Sequence, residues 1–218
     1  MYPLHESGRG SRGPLGWPRQ DRVRSSYRRA RGGDRVSGFV LWLTGLSGAG
    51  KSTVAGLVAN ELEGRGVTVE RLDGDIVREH LSKGLGFSKE DRDLNIERIG
   101  WVASRVARAG GGVVVSAISP YATARRKARS LAEEHVPFIE VYVATSIEEC
   151  ARRDPKGLYA KAFAGEIPEF TGVSDPYEAP ENAEIILTTE GRTPEEAAAI
   201  VLDYLVENDL LDPAEVSA

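Results

Sequence analysis

The chain has 218 residues, of which 41% are hydrophobic, and it carries a formal net charge of −5. This length fits one α/β domain with a tail and allows a sizeable core. No apolar run approaches the roughly 18 residues of a membrane span, the N-terminus has no apolar signal segment, and a single cysteine, Cys150, excludes an intrachain disulfide and a cysteine zinc cluster. The composition therefore predicts a soluble protein of a reducing compartment, which we expect to be the cytoplasm.

Residues 1–37 differ in composition from the rest of the chain. They hold nine Arg and no Lys against three acidic residues, which gives a charge of +6 and leaves −11 for the remainder. Abundant Gly, Ser and Pro with few large aliphatic residues predict a disordered tail. A solvated tail without a role is favoured, and the alternatives are an arm for nucleic acid or an anionic surface, or an organelle-targeting peptide. Because the solvated tail is favoured, nucleic acid is not an expected partner. We place the folded domain at 38–208 and a short C-terminal tail at 209–218.

The first predicted element, a buried strand at 39–44, leads into a glycine-rich loop. Residues 45–52 read GLSGAGKS and fit G-x-x-x-x-G-K-[ST], and a helical pattern follows at 53–62. A turn of this kind points backbone N–H groups and the positive end of the helix dipole at one place, where a polyphosphate fits. Lys51 would reach the β- and γ-phosphates of ATP, and Ser52 would hold Mg²⁺. The predicted nucleotide-binding residues are Gly45, Leu46, Ser47, Gly48, Ala49, Gly50, Lys51, Ser52 and Thr53.

The second predicted strand, at 67–72, runs into the sequence Asp73-Gly74-Asp75. Carboxylates at the carboxyl end of a strand beside a phosphate-binding loop face the ligand crevice. Asp73 and Asp75 are therefore candidates to order Mg²⁺ and its water, and Asp75 to take a proton from an attacking hydroxyl. A solvated Asp-Gly-Asp turn is the alternative, because turn chemistry alone explains Gly74.

The later predicted elements are a helix at 88–109, a buried strand at 113–118, a charged helix at 121–134, strands at 138–144 and 184–189, and a last helix with Thr193 as its cap. The alternation of strands and helices predicts a parallel sheet with right-handed crossovers. One segment breaks the pattern, because residues 154–181 are rich in Pro and Gly and predict a long loop. In a phosphoryl-transfer enzyme such a loop can be a lid that excludes water.

The strand at 113–118 ends in Ser119-Pro120, where a GTPase or motor-type ATPase would usually carry a metal-ordering Asp. This difference favours a small-molecule kinase. Between the second and third strands lie Arg78, Phe87, Arg92 and Asn95. Arg suits phosphate or sulfate through planar, bidentate donation, and Phe can stack on a base. Singly, each is more often a surface Arg or a core Phe, so only the cluster is informative.

These motifs carry a resemblance to the adenylylsulfate kinase (APS kinase) family, whose members use MgATP to phosphorylate the ribose 3′-hydroxyl of adenosine 5′-phosphosulfate (APS). The resemblance covers about residues 38–208. The matching stretches are 45–53, LDGD at 72–75 with Arg78, LGFS at 85–88, DR at 91–92, NI at 95–96, RIG at 98–100, ISPY at 118–121, RDPKGLY at 153–159 and FTG at 170–172.

The resemblance implies a P-loop kinase fold: a five-stranded parallel sheet in the order 2-3-1-4-5 between helices, with a lid at 154–175. It implies ATP and Mg²⁺ as cofactors and a homodimer, and it leaves open whether the chain works alone or in a functional association with ATP sulfurylase. Two alternatives stay open: a P-loop kinase for another small acceptor such as gluconate or a nucleoside, and a non-catalytic nucleotide-binding module. The paired aromatic and Arg positions argue against the first, and intact Lys51, Ser52 and Asp75 argue against the second.

The resemblance also implies roles at matching positions. Asp75 would lie beside the attacking hydroxyl, and Arg153 near the ATP base. The implied APS contacts are Asp75, Arg78, Arg92 and Asn95, the adenine-sandwiching pair Phe87 and Phe170, the pocket residues Ile118 and Ser119, and Lys156 of the lid. Ser119 matches a serine sometimes labelled a phosphoserine intermediate and so joins Lys51 and Asp75 as a catalytic candidate. Because in-line transfer needs no such intermediate, we treat Ser119 as a pocket residue.

Three positions depart from the family pattern: Ile76 stands in place of Asn, and Glu97 and Phe163 stand in place of Arg. The last two changes remove positive charge that would lie near an anionic substrate. We therefore expect a weakened affinity for APS, and expect Glu97→Arg to lower the KM for APS.

Overall fold

The structure, a computed structural model, describes residues 38–213. Its five parallel strands are β1 (Phe39–Thr44), β2 (Val69–Asp73), β3 (Gly112–Ser116), β4 (Phe138–Val143) and β5 (Ile185–Leu187). The helices are α1 (Lys51–Gly64), α2 (Gly74–His80), α3 (Lys89–Arg108), α4 (Ala122–Glu133), α5 (Ile147–Arg153), α6 (Leu158–Phe163) and α7 (Pro194–Glu207). Within these described residues, no helix combines the length and apolar character needed to cross a membrane.

The strands lie in the order β2-β3-β1-β4-β5, which confirms the predicted topology. β1 is the central strand, with Leu41 opposite Val114 of β3 on one side and Ile139 of β4 on the other. All strands are parallel, so their carboxyl ends share one edge of the sheet. The glycine-rich loop that follows β1 therefore lies in the middle of that edge.

Alternating residues of β1 fill the core on both faces of the sheet. Phe39, Leu41 and Leu43 belong to a cluster that includes residues of α1 and α7. Val40 and Trp42 belong to a second cluster that includes residues of α3 and α4. Every residue of β1 is buried, as expected for a parallel strand covered by helices on both faces.

Thr193 caps α7 as predicted from its sequence. Its hydroxyl accepts from the backbone N–H of Glu196, the Glu196 carboxylate accepts from the N–H of Thr193, and Pro194 occupies the first turn. This reciprocal pair satisfies two backbone donors that would otherwise lack partners inside the helix. The helix begins where the sequence indicated.

Three short helices, α2, α5 and α6, were not predicted. α6 lies inside the stretch 154–181, so the prediction of a continuous loop there is wrong in part. Of the predicted C-terminal tail, residues 209–213 are described: Leu211 is buried, and Arg65 donates to the carbonyl oxygen of Asp212. Leu211 thus packs into the core of the domain. The predicted disorder of residues 1–37 falls outside the described residues.

Candidate active site

The loop after β1 takes a conformation that requires glycine. Gly48 and Gly50 have φ angles of 72° and 101°, in the left-handed region that other residues rarely adopt. Two hydroxyls fix the loop from behind, because Thr145 and Thr189 each donate to the carbonyl oxygen of Ala49 at 3.0 Å. The loops after β4 and β5 thus hold the predicted phosphate-binding loop in place.

Lys51 lies folded back over this loop. Its Nζ donates to the carbonyl oxygens of Gly45, at 3.0 Å, and of Leu46, at 2.7 Å. Burial lowers the pKa of Lys51 to about 8, although Cys150 and Asp73 act in the opposite direction. The amine is therefore poorly compensated in this arrangement, and an incoming phosphate would supply the missing negative charge.

Asp73 joins four elements at the carboxyl edge of the sheet. Its Oδ2 accepts from the hydroxyls of Ser52 and Ser116, both at 2.7 Å, and its Oδ1 accepts from the N–H of Asp75 at 3.0 Å. Burial raises the pKa of Asp73, but these donors outweigh it, and the net pKa lies below its ordinary value. The Asp73 carboxylate is therefore ionised and links the start of α1 to the start of α2.

These oxygens fit a magnesium ion that is shared with a nucleotide. Within residues 38–213, no group of three or more His, Cys, Asp or Glu side chains could hold a metal by itself. Mg²⁺, however, usually takes one or two protein oxygens, substrate phosphates and several waters. Ser52 donates its proton to Asp73, so its oxygen lone pairs remain available to a cation.

Asp75, the predicted proton acceptor, lies in the first turn of α2 and forms an ion pair with Lys156. Lys156 belongs to the segment between α5 and α6. The side chains are 72% and 56% exposed, so a substrate can reach both. The structure thus brings together an acid of the sheet edge and a cation of the predicted lid.

Arg92 holds the far part of the predicted lid. Its Nη1 donates to Thr171 Oγ1 at 2.6 Å and to Asp175 Oδ2 at 2.8 Å, and its Nη2 donates to the carbonyl oxygen of Glu169. Tyr121 donates to the same Asp175 oxygen at 2.7 Å. The turn that carries Phe170 is therefore fixed to α3 through a buried guanidinium.

The other residues predicted to contact the phosphate acceptor are Arg78 of α2, Phe87 of the loop between α2 and α3, and Asn95 of α3. The Arg78 guanidinium lies 4.6 Å from the ring centroid of Phe87, which is 64% exposed. Burial, and then the neighbouring Arg92, lower the pKa of Arg78, so two cations lie close enough to interact. Among the described residues, the buried Oδ1 of Asn95 has no hydrogen-bond partner. This set can accept an anion together with a hydrogen-bond donor.

Ser119 is 1% exposed and has φ of 43°. Its hydroxyl accepts from Trp42 Nε1 at 3.1 Å and donates to the carbonyl oxygen of Ala117 at 3.2 Å. The preceding Ile118 carbonyl oxygen accepts from Thr44 Oγ1 at 2.7 Å. This geometry commits the Ser119 hydroxyl to structural bonds and gives Ile118 and Ser119 a fixed backbone at the sheet edge.

Arg153, the predicted contact of the ATP base, lies beside the loop after β5. It donates to Thr189 Oγ1 at 2.9 Å and to the Thr189 carbonyl oxygen at 3.3 Å, and its Nε donates to Glu149 at 2.7 Å. Since Thr189 also binds Ala49, Arg153 lies at the rim of the phosphate-binding loop. A base bound next to the phosphates could reach its guanidinium.

Sequence reasoning assigned no role to Tyr159, Asp175 or Arg125. Tyr159 donates to the carbonyl oxygen of Ser47 in the phosphate-binding loop. Buried Arg125 pairs with Glu140 and donates to the carbonyl oxygens of Ser119 and Glu178. Tyr159 falls within a stretch that resembles the family. The sequence nevertheless offers no local signal for its hydroxyl contact or for the contacts of Asp175 and Arg125.

Comparisons with known proteins agree on one family. A family model described as adenylylsulphate kinase matches residues 37–188. An adenylyl-sulfate kinase from Halothermothrix orenii is 52% identical over 182 residues, which are 83% of this chain and 97% of that protein. A probable bifunctional SAT/APS kinase 2 from Sorangium cellulosum is 55% identical over 173 residues, and this chain spans only 29% of its length.

Solved structures give the same result. The APS kinase CysC of Mycobacterium tuberculosis in complex with AMPPNP and APS superposes with a TM-score of 0.75 at 46% identity, covering 78% of this chain and 98% of that one. A hexameric APS kinase from Thiobacillus denitrificans has a TM-score of 0.64 at 37% identity, covering 81% of this chain and 30% of that one. Sequence and fold therefore point to the same relatives.

Proposed function

The chain belongs to the adenylylsulphate kinase family, and from this membership we propose how its described residues act on ATP and APS. The family match, relatives at 50–55% identity and the fold support adenylyl-sulfate kinase activity. In this reaction the bond from the γ-phosphorus to the β,γ-bridging oxygen breaks and a bond to the 3′-oxygen of APS forms. The products are ADP and 3′-phosphoadenosine 5′-phosphosulfate (PAPS), and the proton of the 3′-hydroxyl passes to a base.

The observation that carries the proposal is the hydrogen bond from Ser52 to Asp73. It joins the phosphate-binding loop to the start of α2, where Asp75 lies two residues further on. An acid at that place can face a hydroxyl that approaches the γ-phosphate. Phosphoryl transfer depends mainly on positioning and charge stabilisation, and this link supplies the positioning.

On the nucleotide side, the backbone N–H groups of 45–53 would surround the phosphates, and Lys51 would exchange its carbonyl partners for phosphate oxygens. Arg153 would lie against the base. Ser52 and Asp73, with Asp75 beside them, would hold Mg²⁺ or its water. When bound, Mg²⁺ would neutralise charge on the β- and γ-phosphates.

On the acceptor side, Asp75 would orient the 3′-hydroxyl and take its proton, and Lys156 would turn from Asp75 toward the anionic substrate. Arg78 would supply positive charge for the phosphosulfate, Arg92 would add to it only in part because it is paired with Asp175, and the buried oxygen of Asn95 can accept a donor. Phe87 and Phe170 would provide the two aromatic faces for adenine. Ile118 and Ser119 would form the pocket wall.

The test is an acceptor panel. The purified chain is incubated with MgATP and APS, AMP, gluconate or adenosine, and ADP release and the phosphorylated product are measured. We expect PAPS from APS alone, and no product with Lys51→Ala although its far-UV circular dichroism matches the wild type. ADP release with a different acceptor would contradict the proposed substrate, and a Lys51→Ala rate above about 10% of wild type would contradict the role of the loop.

We also propose that the chain forms a homo-oligomer, which the hexameric relative supports. A homodimer is the specific prediction, and sedimentation velocity of the purified chain tests it. The cytoplasmic location stays a prediction from the composition, and a functional association with ATP sulfurylase stays one of two alternatives beside a chain that works alone. Co-purification of the two activities from cells would test the association.

A further inference from the structure

Tyr159 contacts both the nucleotide side and the acceptor side of the proposed site. It is the second residue of α6 and is 1% exposed. Its hydroxyl donates to the carbonyl oxygen of Ser47 at 3.0 Å. Its ring and that of Phe170 form a T-shaped pair, with centroids 5.0 Å apart and planes at 75°. Burial raises the pKa of Tyr159, so the phenol stays a neutral donor at working pH.

The Ser47 carbonyl belongs to the same peptide group as a backbone N–H that is proposed to bind phosphate. In a planar trans peptide the C=O and the following N–H point in opposite directions. The N–H paired with the Ser47 carbonyl is that of Gly48, one of the donors that the loop is proposed to offer to phosphate. A hydrogen bond to the carbonyl polarises the peptide and fixes its orientation. Tyr159 therefore acts on a phosphate donor without touching the phosphate.

On its other side, Tyr159 supports the acceptor pocket. Phe170 lies between Glu169 and Thr171, which Arg92 holds through its guanidinium. The same turn also contacts the phosphate-binding loop, because a Cβ built on Gly172, whose φ is 90°, would lie 2.8 Å from Leu46 Cδ2. A movement of the phosphate-binding loop on nucleotide binding would therefore shift the turn that carries Phe170.

The position of Tyr159 is itself fixed by Asp154. This carboxylate accepts from the N–H groups of Leu158 at 2.8 Å, Tyr159 at 3.1 Å and Ala160 at 3.1 Å. Burial raises the pKa of Asp154, but the three amides outweigh it and the net pKa is lowered. An ionised cap thus orients α6 so that its buried tyrosine faces the loop.

We propose that Tyr159 is a positioning residue that couples the binding of nucleotide to the binding of APS, an inference that rests on the proposed function. A nucleotide that orders the 47–48 peptide strengthens the bond to Tyr159, which in turn holds Phe170 in its stacking position. Coupling between two sites is reciprocal in free energy. Each ligand therefore raises the affinity for the other by the same factor.

The experiment measures that factor directly. The dissociation constant of APS is determined by calorimetry with and without saturating AMPPNP, for the wild type and for Tyr159→Phe, which removes only the hydroxyl. We expect tighter APS binding with AMPPNP in the wild type, and a coupling factor reduced by about 3- to 10-fold in the variant, the equivalent of one hydrogen bond. Tyr204→Phe, on α7 and outside the proposed site, should keep the wild-type factor.

Each outcome decides a different point. A wild-type factor of one, or equal factors for the wild type and Tyr159→Phe, would overturn the coupling role even if PAPS is formed. Failure of the wild type to make PAPS or bind APS would instead overturn the proposed function. If Tyr159→Phe melts below the assay temperature, Asp154→Asn replaces it: a reduced factor supports the proposal, and an unchanged factor overturns it.

Discussion

Lys156 and Asp75 form an ion pair that joins the segment after α5 to the first turn of α2. Both side chains are more than half exposed, and exposed pairs contribute only about 0–1 kcal/mol to stability. Its importance is therefore positional. The cation of the lid is held beside the acid that we propose as the proton acceptor, and an entering substrate anion can compete for it.

The first prediction concerns Asp75→Asn. We expect the variant to fold and bind nucleotide but to lose turnover by about 10²- to 10⁴-fold, because the amide cannot accept the proton of the 3′-hydroxyl. Single-turnover rates and AMPPNP affinity measure the two effects separately. The matched control is Glu79→Gln, which removes an exposed carboxylate from the same helix and should keep the wild-type rate. Unfolding of Asp75→Asn would instead make Asp75 a structural residue.

The second prediction concerns Arg92→Lys. Lysine keeps the charge but cannot reproduce the forked bonds to Thr171, Asp175 and Glu169. The turn that carries Phe170 should loosen, so we expect the KM for APS to rise by about tenfold or more while the KM for ATP changes little. Steady-state kinetics with each substrate varied provide the test. The control Arg105→Lys, near the other end of α3, should change neither KM. An equal rise in both KM values for Arg92→Lys would contradict a role confined to the acceptor side.

The sequence predicted the strands and the long helices well and missed the short helices. Helices of six or seven residues, such as α2, α5 and α6, are too short to show a clear 3.6-residue period. The capping pattern Ser146-x-x-Glu149 could have revealed α5, because the Ser146 hydroxyl accepts from the Glu149 N–H. α6 had no comparable signal, since Asp154, whose carboxylate caps it, lies four residues before it, and Gly157, with φ of 65°, stands between them.

The candidate site shows the same division. The phosphate-binding loop could be located from sequence because its residues are contiguous and its glycines are fixed by backbone geometry. The pairing of Asp75 with Lys156 spans 81 positions, and that of Arg92 with Asp175 spans 83. Such contacts depend on how the lid packs on the sheet edge, and no local pattern encodes that. The resemblance indicated these residues as ligands of a substrate, but not as partners of one another.

A third prediction separates chemistry from structure at Ser119. Its hydroxyl is buried between Trp42 and Ala117, so we expect Ser119→Ala to retain turnover within about tenfold and to lose about 1–3 kcal/mol of unfolding free energy, because the indole N–H loses its partner. Initial rates, denaturant unfolding and mass spectrometry of the wild type after MgATP treatment test this. A phosphoryl group on Ser119, or complete loss of turnover in a folded variant, would restore the covalent intermediate.

A fourth prediction concerns Glu97, for which the sequence alone predicts that Glu97→Arg lowers the KM for APS. In the structure its carboxylate pairs with Lys127 of α4 at 2.6 Å. At about 100° per residue, Glu97 lies on the side of α3 roughly opposite Arg92 and Asn95. We therefore expect Glu97→Arg to leave the KM for APS unchanged at low salt, with a small loss of stability from repulsion by Lys127. A clear fall in that KM would place Glu97 near the phosphosulfate after all.

The last prediction uses the pKa of Lys51, which burial lowers from 10.5 to about 8. The buried charged amine destabilises the folded chain, and this destabilisation is fully present below about pH 8. Between about pH 8 and 10.5 the unfolded chain binds more protons than the folded one, so the contribution of Lys51 to the unfolding free energy rises with pH in that window. The phosphates of a bound nucleotide favour the protonated amine and reverse this shift.

Nucleotide binding above pH 8 should therefore take up a proton at Lys51. We expect the affinity for AMPPNP to fall by up to about tenfold per pH unit above pH 8. Calorimetry at pH 9 in two buffers of different ionisation enthalpy measures the proton uptake. Lys51→Met should bind weakly and take up no proton, whereas the exposed control Lys83→Met should behave as wild type. Proton uptake that persists in Lys51→Met would assign the titration to another group and leave the burial of Lys51 without this consequence.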